Sequence, residues 1–325
     1  MAKMVQQKYS CGGLHGRSIP VRQWTPDHAS GSPIRAVIHI CHGMAEHSAR
    51  YEGLAAHLAD AGFITVAHDH RGHGAGNDST PGHSGNTGGW HALVDDVGRI
   101  QARIHHDYPD LPCFLMGHSM GSFIAQGYLM SRPTPPAPAG LILCGSNLEN
   151  PMRLRALRLI VALEKKRCGP AGYSPVLRKL TFDTFAAAIP DADTPFDWLS
   201  RDPKTIADYL ADPACGFQCT TQFWQDLSSG LQQIIRRRSM RRVPSDMPLY
   251  IMAGDQDPVG EFGKGPTALA EAYRETGHKA VTLTLYPETR HEPFNDLDRD
   301  RIMADLQQWL VKQLKEEPLS RQSAA

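Results

Sequence analysis

The stretch FLMGHSMGS holds a serine in the pattern G-x-S-x-G, at Gly117, His118, Ser119, Met120 and Gly121. It follows a short apolar run and precedes a helix-like one, the context of a nucleophile elbow. There the glycines let strand and helix approach closely, and the strained turn presents the hydroxyl. The chemistry is acyl transfer, which needs a base for the hydroxyl, a carboxylate to orient the base, and two donors for the oxyanion. In a strand–turn–helix chain these follow in the order Ser, Asp or Glu, then His. The loop in YIMAGDQDPVG offers Asp257, ahead of Pro258 at its crest, as the acid, with Asp255 as a turn-capping alternative. YPETRHEPFND offers His291 as the base, its position after the last strand singling it out among sixteen histidines. Glu292, beside it, reads as a surface or turn residue. Met120 N–H at the helix N-terminus is one expected oxyanion donor. Met44 N–H in ICHGMAEHSARY is the other, with His42 and His47 shaping that loop.

A second constellation competes for attention. HDHRGHG has the H-x-H-x-x-H spacing of a zinc site at His68, His70 and His73. A metal centre needs further ligands from distant loops. Histidines at 83, 91, 105 and 106 are in no arrangement that supplies them, and Gly72 stands where a two-zinc site would carry an aspartate. No metal and no organic cofactor is expected.

The elements that must position these residues are legible as a rhythm. Two β-prone stretches flanking CGGLHGR predict a hairpin. RAVIHICHG reads as a buried parallel strand, and FITVAHD, the runs at 113–116 and 140–144, then those at 249–253 and 281–286, as further strands. Helices are expected between them, over 51–61, around Leu93–Ile104 on an i, i+4, i+7, i+11 stripe, over 121–130, over 267–276, and through Ile302, Leu306, Leu310 and Leu314. The fold class is α/β, a mostly parallel sheet with helices on both faces. From about 147 to 240 the alternation stops in a stretch rich in prolines and aromatics. The expected organisation is a core of 1–146 and 241–325 with a helical cap at 147–240. The connector RPTPPAPAG cannot continue the helix before it, and the tail after Pro318 is expected to lack fixed structure.

Composition sets further bounds. Lys plus Arg and Asp plus Glu number 34 each, so no global field recruits nucleic acid or an anionic bilayer. Seven cysteines without a C-x-x-C pair, several in strand-like surroundings, read as reduced thiols. MAKMVQQKYS lacks the apolar stretch of a signal peptide, and no run approaches the roughly 18 apolar residues of a membrane span. A cytoplasmic protein is expected.

Taken together, HGMAEHSARY, HDHRGHG, GHSMGS, GDQDPVG and RHE resemble the monoacylglycerol lipase and bacterial lysophospholipase branch of the α/β-hydrolases, in order from about residue 18 to 315. FDWLSRDPKTIADYLADPACGF is similar to the cap of bacterial members. The resemblance implies an α/β-hydrolase fold with Ser119 as nucleophile, Asp257 as acid, His291 as base, and Met44 and Met120 as oxyanion donors. It also implies that HDHRGHG is a structural loop beside the active site, in which hydrogen bonds of Asp69, Arg71 and His73 are expected to brace the loops around Ser119. The expected substrate is a small acyl ester or a monoacyl lipid, lysophospholipid or monoacylglycerol. The same triad could cleave amides or C–C bonds or transfer acyl groups, and a scaffold that had lost a triad member could serve as a receptor. Phe182, Phe217 and Trp224 are candidates for acyl-chain contact, although such aromatics can equally form the cap's own core. The basic residues around Leu154, Leu157, Ile160 and Val161, and RRRSMRR at 236–242, allow at most transient contact with a membrane surface.

Overall fold

Apolar runs with side chains buried on both faces cannot sit at a sheet edge in water, and here they form the interior of one eight-stranded sheet. The structure, a computed structural model, describes residues 4–27, 33–76, 80–86, 88–131 and 137–316. The strands are β1 (Met4–Gly12), β2 (Ser18–Pro26), β3 (Ala36–Cys41), β4 (Phe63–His68), β5 (Cys113–His118), β6 (Gly140–Cys144), β7 (Leu249–Gly254) and β8 (Val281–Tyr286). Their order is β1-β2-β4-β3-β5-β6-β7-β8. The β1–β2 hairpin is antiparallel and joins β4 antiparallel, whereas β4 through β8 run parallel.

The helices are α1 (Glu52–Asp60), α2 (Gly89–Asp107), α3 (Met120–Met130), α4 (Pro151–Cys168), α5 (Pro175–Leu180), α6 (Phe182–Ala187), α7 (Pro203–Ala211), α8 (Thr221–Ile234), α9 (Arg237–Met240), α10 (Lys264–Glu275) and α11 (Arg299–Glu316). Strand alternation sorts the core into two layers. Leu115, Leu141, Leu143 and Ile251 face α2, α3 and α10 through Leu93, Ile124 and Leu269. Phe114, Met116, Ile142 and Met252 face α1 and α11 through Leu54, Ile302 and Leu306. The predicted α/β sandwich is the one observed. Helix α10 starts three residues earlier than its sequence suggested, because Pro266 is tolerated in a first turn where no amide is needed.

Between β6 and β7 lie six helices and, among the described residues, no strand. The prolines that obscured them in the sequence start them. Pro151, Pro175 and Pro203 each occupy the first turn, after Asn150, Ser174 and Asp202, whose side chains accept amide protons of that turn. These helices are not a separate body. Phe223, Trp224, Leu227 and Leu231 of α8 join the cluster formed by α2, α3 and one face of the sheet. Only a small satellite, with Ile189, Trp198, Ile206 and Tyr209, is the inserted segment's own. The chain beyond Pro318 and most of the proline-rich connector lie outside the described residues. Among the described residues no helix is long and apolar enough to cross a membrane.

The contact between α8 and α2 is close enough to test. A Cβ on Gly230 would lie 2.0 Å from the Trp90 ring. Gly230→Ala must therefore push the helices apart, and thermal unfolding should show a loss of about 1–3 kcal/mol rather than the gain a helical Gly→Ala exchange usually brings.

Candidate active site

Strand β5 ends at His118 and α3 begins at Met120, which leaves Ser119 alone in the turn with φ +49° and ψ −121°. A non-glycine residue held there costs about 1–3 kcal/mol, and the surroundings must over-determine it. They do. Ser119 N–H donates to Cys144 O at 2.9 Å, and Ser122 N–H closes the turn on Ser119 O at 2.9 Å. The flanking glycines are steric necessities. A Cβ on Gly121 would sit 2.1 Å from Cys41 O, and one on Gly117 would sit 2.5 Å from Gly121 O.

The loops after β7 and β8 begin side by side, because Gly254 pairs with Tyr286. They bring Asp257 and His291 together, with Asp257 Oδ2 2.9 Å from His291 Nδ1 and both side chains buried. The second oxygen of Asp257 accepts from Val259 N–H at 2.8 Å. With Nδ1 committed to the carboxylate, Nε2 is the ring atom left for other work. Asp255 does what a turn-capping residue does, accepting from Glu288 N–H at 2.8 Å. The His291 loop adjoins the elbow, since His118 Nε2 lies 3.1 Å from His291 O. One expectation fails. Glu292 is not a surface residue but is 4 % exposed and paired bidentately with Arg50 at 2.5 and 2.7 Å. A buried carboxylate persists only with such a partner, and nothing near residue 292 in the sequence points to residue 50.

The loop after β3 carries Met44, and it is heavily braced. Glu46 is buried and accepts from Gly43 N–H, from Arg50 Nη1 at 2.9 Å and from Tyr51 Oη at 3.0 Å. Ala45, at φ +56°, offers its carbonyl to Gly216 N–H and to Tyr209 Oη, both at 2.9 Å. The segment before α7 also holds the His291 loop. Glu292 N–H donates to Leu199 O at 2.8 Å, and the Trp198 and His291 rings are 5.2 Å apart. Met44, Ser119 and Met120 line a cavity of about 570 Å³ whose walls include Phe182, Trp224 and Leu231. Phe217 is not among its lining residues; its ring lies 5.1 Å from His73.

This geometry has relatives. The family model described as serine aminopeptidase, S33 (Hydrolase_4) matches residues 32–298. The chain belongs to this family. It is similar to human monoglyceride lipase, 36% identical over 91% of this chain and 87% of the relative. It is also similar to the monoacylglycerol lipase of Mycolicibacterium smegmatis, 27% identical over 97% of this chain and 100% of the relative. Among solved structures, a thermostable carboxyl esterase from Bacillus coagulans superposes with a TM-score of 0.85 at 30% identity, covering 96% of this chain and 100% of that one. The chain is thus an α/β-hydrolase of the monoacylglycerol lipase-like branch and a serine ester hydrolase.

In this α/β-hydrolase the histidines of HDHRGHG do not converge on a common point. His68 Nδ1 lies 3.0 Å from His39 Nε2, and His39 Nδ1 lies 2.9 Å from Gln101 Nε2. Cys41 Sγ lies beside this pair, but both ring nitrogens of His39 are already engaged. His70 lies between His68 and His42, with ring centroids 4.6 and 4.4 Å away. His42 Nε2 accepts from His70 N–H at 3.0 Å. Of the bracing expected from Asp69, Arg71 and His73, Asp69 alone bonds the loop that carries Met44. Arg71 instead ties the segment to Asp96 and Leu14, and His73 Nδ1 meets only Arg71 O within its own turn. Asp69 accepts from Ser48 N–H and Ala75 N–H, Arg71 pairs bidentately with Asp96 at 2.6 and 2.8 Å, and His73 packs on Phe223.

The price of so many buried imidazoles is sensitivity to acid. Burial disfavours the cation and pulls His39, His42 and His70 below their ordinary range, and His68 and His73 down to about 3. His39, His68, His70 and His73 are neutral when folded but take up a proton when unfolded below roughly pH 6.5, so their stabilising effect is complete above that pH and declines as pH falls. The loss is about 1.4 kcal/mol per pH unit for each such histidine. His70, with neither ring nitrogen partnered among the described residues, is the cleanest probe. Urea unfolding should show marked destabilisation between pH 7.5 and 5.5, and His70→Leu should flatten that slope by close to one histidine's share. An unchanged slope in the variant would contradict this assignment.

Proposed function

We propose that the protein hydrolyses carboxylic esters of monoacyl lipids, lysophospholipids or monoacylglycerols, and short-chain esters, through an acyl-enzyme on Ser119. The observation that carries the reading is the buried Asp257–His291 pair, 2.9 Å apart, on the loop that adjoins the strained elbow. Asp257 holds the imidazole in the tautomer with its proton on Nδ1, so Nε2 accepts the Ser119 proton as Oγ attacks the ester carbonyl. The Met44 and Met120 amides receive the oxyanion, the alcohol leaves with the proton from His291, and water activated by the same ring frees the acid. No step calls for a metal or organic cofactor.

The lipid assignment rests on the cavity and on the names of the relatives. Phe182, Trp224, Leu227 and Leu231 offer an acyl chain an apolar wall, worth about 0.8 kcal/mol for each CH₂ taken from water. In this reading residues 147–240 act as a cap over the serine. Helix α4 leaves Met152, Leu159 and Leu163 more than two-thirds exposed, with Arg155 and Lys166 also on the helix surface, a face suited to brief contact with a lipid surface. The second basic cluster is partly committed elsewhere, since Arg237 pairs with Glu275 and Arg242 donates to Met130 O. All seven cysteines are free thiols, which suits a reducing compartment such as the cytoplasm.

The test combines labelling with kinetics. A fluorophosphonate probe should label the wild type at Ser119 and leave Ser119→Ala unlabelled. Asp257→Asn should lower kcat on the order of 10⁴-fold, as when a triad histidine loses its tautomer, while Asp255→Asn stays within a few-fold of wild type. Across p-nitrophenyl esters, kcat/KM should rise with chain length beyond butyrate and extend to monoacylglycerol or lysophosphatidylcholine. A profile that collapses beyond butyrate would eliminate the lipid substrate, and an unlabelled Ser119 would eliminate the mechanism.

A further inference from the structure

His118 precedes the proposed nucleophile and is 4 % exposed, yet it faces two acceptors. Nδ1 lies 3.2 Å from Glu46 Oε1, and Nε2 lies 3.1 Å from the backbone carbonyl of His291. A carbonyl only accepts. Glu46 is also confined to accepting, because Gly43 N–H, Tyr51 Oη and Arg50 Nη1 already donate to it. Both ring nitrogens of His118 must then carry protons, which makes the ring an imidazolium. Charge balance leads to the same place. The ring meets the carboxylate of Glu46 and the charge of Glu292, with the His291 ring centroid 4.9 Å away. Arg50 pairs with both carboxylates, and Tyr51 and the neutral His42 also stand beside Glu46. Two buried carboxylates against one guanidinium leave a net negative charge, and a second cation removes it. The ring sits between two glycines: a Cβ would come within 3.0 Å of Nδ1 from position 43 and 3.3 Å of Nε2 from position 145.

We infer that His118 is a positioning residue held as an imidazolium at neutral pH, and that it ties together the elbow of Ser119, the loop of His291 and the loop of Met44. The inference rests on the catalytic reading above and adds to it a residue that touches no substrate. Burial opposes the cation, but the hydrogen bond and charge of Glu46 outweigh it and raise the His118 pKa above its ordinary value. The bonds it makes are therefore present below that raised value and are lost as pH rises through it.

Two measurements on the full chain test this. Heteronuclear NMR of histidine-labelled wild type, assigned by backbone correlation, should show both His118 ring nitrogens protonated at about pH 7.5. A single protonated nitrogen there overturns the inference. His118→Gln keeps a donor but no charge. It should lower kcat on the order of 10²-fold, the cost of a catalytic group displaced by about 1 Å, with little change in KM. Unchanged kcat in a folded variant also overturns it, and if the variant does not fold the wild-type spectrum decides. Fluorophosphonate labelling of the wild type separates the two levels. No labelling condemns the catalytic reading itself, whereas labelling alongside a neutral His118 condemns only this one.

Discussion

The arrangement depends on the parallel register of β3 through β8. Parallel strands end at the same edge, and their pairing here is staggered by no more than a residue or two, with Cys41 opposite Gly117, His118 opposite Cys144, and Gly254 opposite Tyr286. The loops that follow β3, β5, β7 and β8 therefore emerge as neighbours although they span 250 residues of chain. Ligand sites of open α/β sheets form at such carboxyl ends for this reason. A shift of one residue in any pair would turn each inward side chain to the opposite face and separate the loops.

How much of this could be read from the residues depended on whether the determining forces are local. The elbow was legible because its serine and both glycines fall within five residues between a strand and a helix, even though the demand on Gly121 comes from Cys41 on another strand. Asp257 and His291 were legible as positions after strands, since strand ends are marked by glycine and proline. The network of Glu46, Arg50 and Glu292 was not, because the ion pair spans 242 residues and the charges look like ordinary surface residues in sequence. The spacing of Glu46 and Arg50 at i and i+4 was a usable local hint. Glu292 had none. The inserted helices were blurred by a second cause. Their aromatics serve three surfaces at once, namely the cavity, the satellite cluster and the face of α2 and α3, so no single 3.6-residue stripe emerges. The better signal was at their starts, where Asn-Pro, Ser-Pro and Asp-Pro open three helices.

Beneath the loops the protein uses polar groups where most cores use aliphatic ones. Five contacting imidazoles, the Arg71–Asp96 pair and the Glu46 cluster lie along β3 and β4 and the loops that follow them. Such groups stabilise little in net terms, because desolvation cancels much of the attraction. Their directional bonds do what dispersion cannot, which is to fix the rotation of each loop about its own axis. In an enzyme whose chemistry needs sub-ångström placement, that exchange of stability for orientation is reasonable.

The carbonyl of Ala45 carries a mechanical implication. It is gripped by Tyr209 of α7 and by Gly216 of the loop between α7 and α8, while its neighbours are the amide proposed to meet the oxyanion and the carboxylate of Glu46. A swing of those helices that widened the mouth of the cavity would pull directly on this peptide. Admission of a molecule and readiness to react with it would then be one coordinate, and the chain could not stand fully open and fully poised at the same instant.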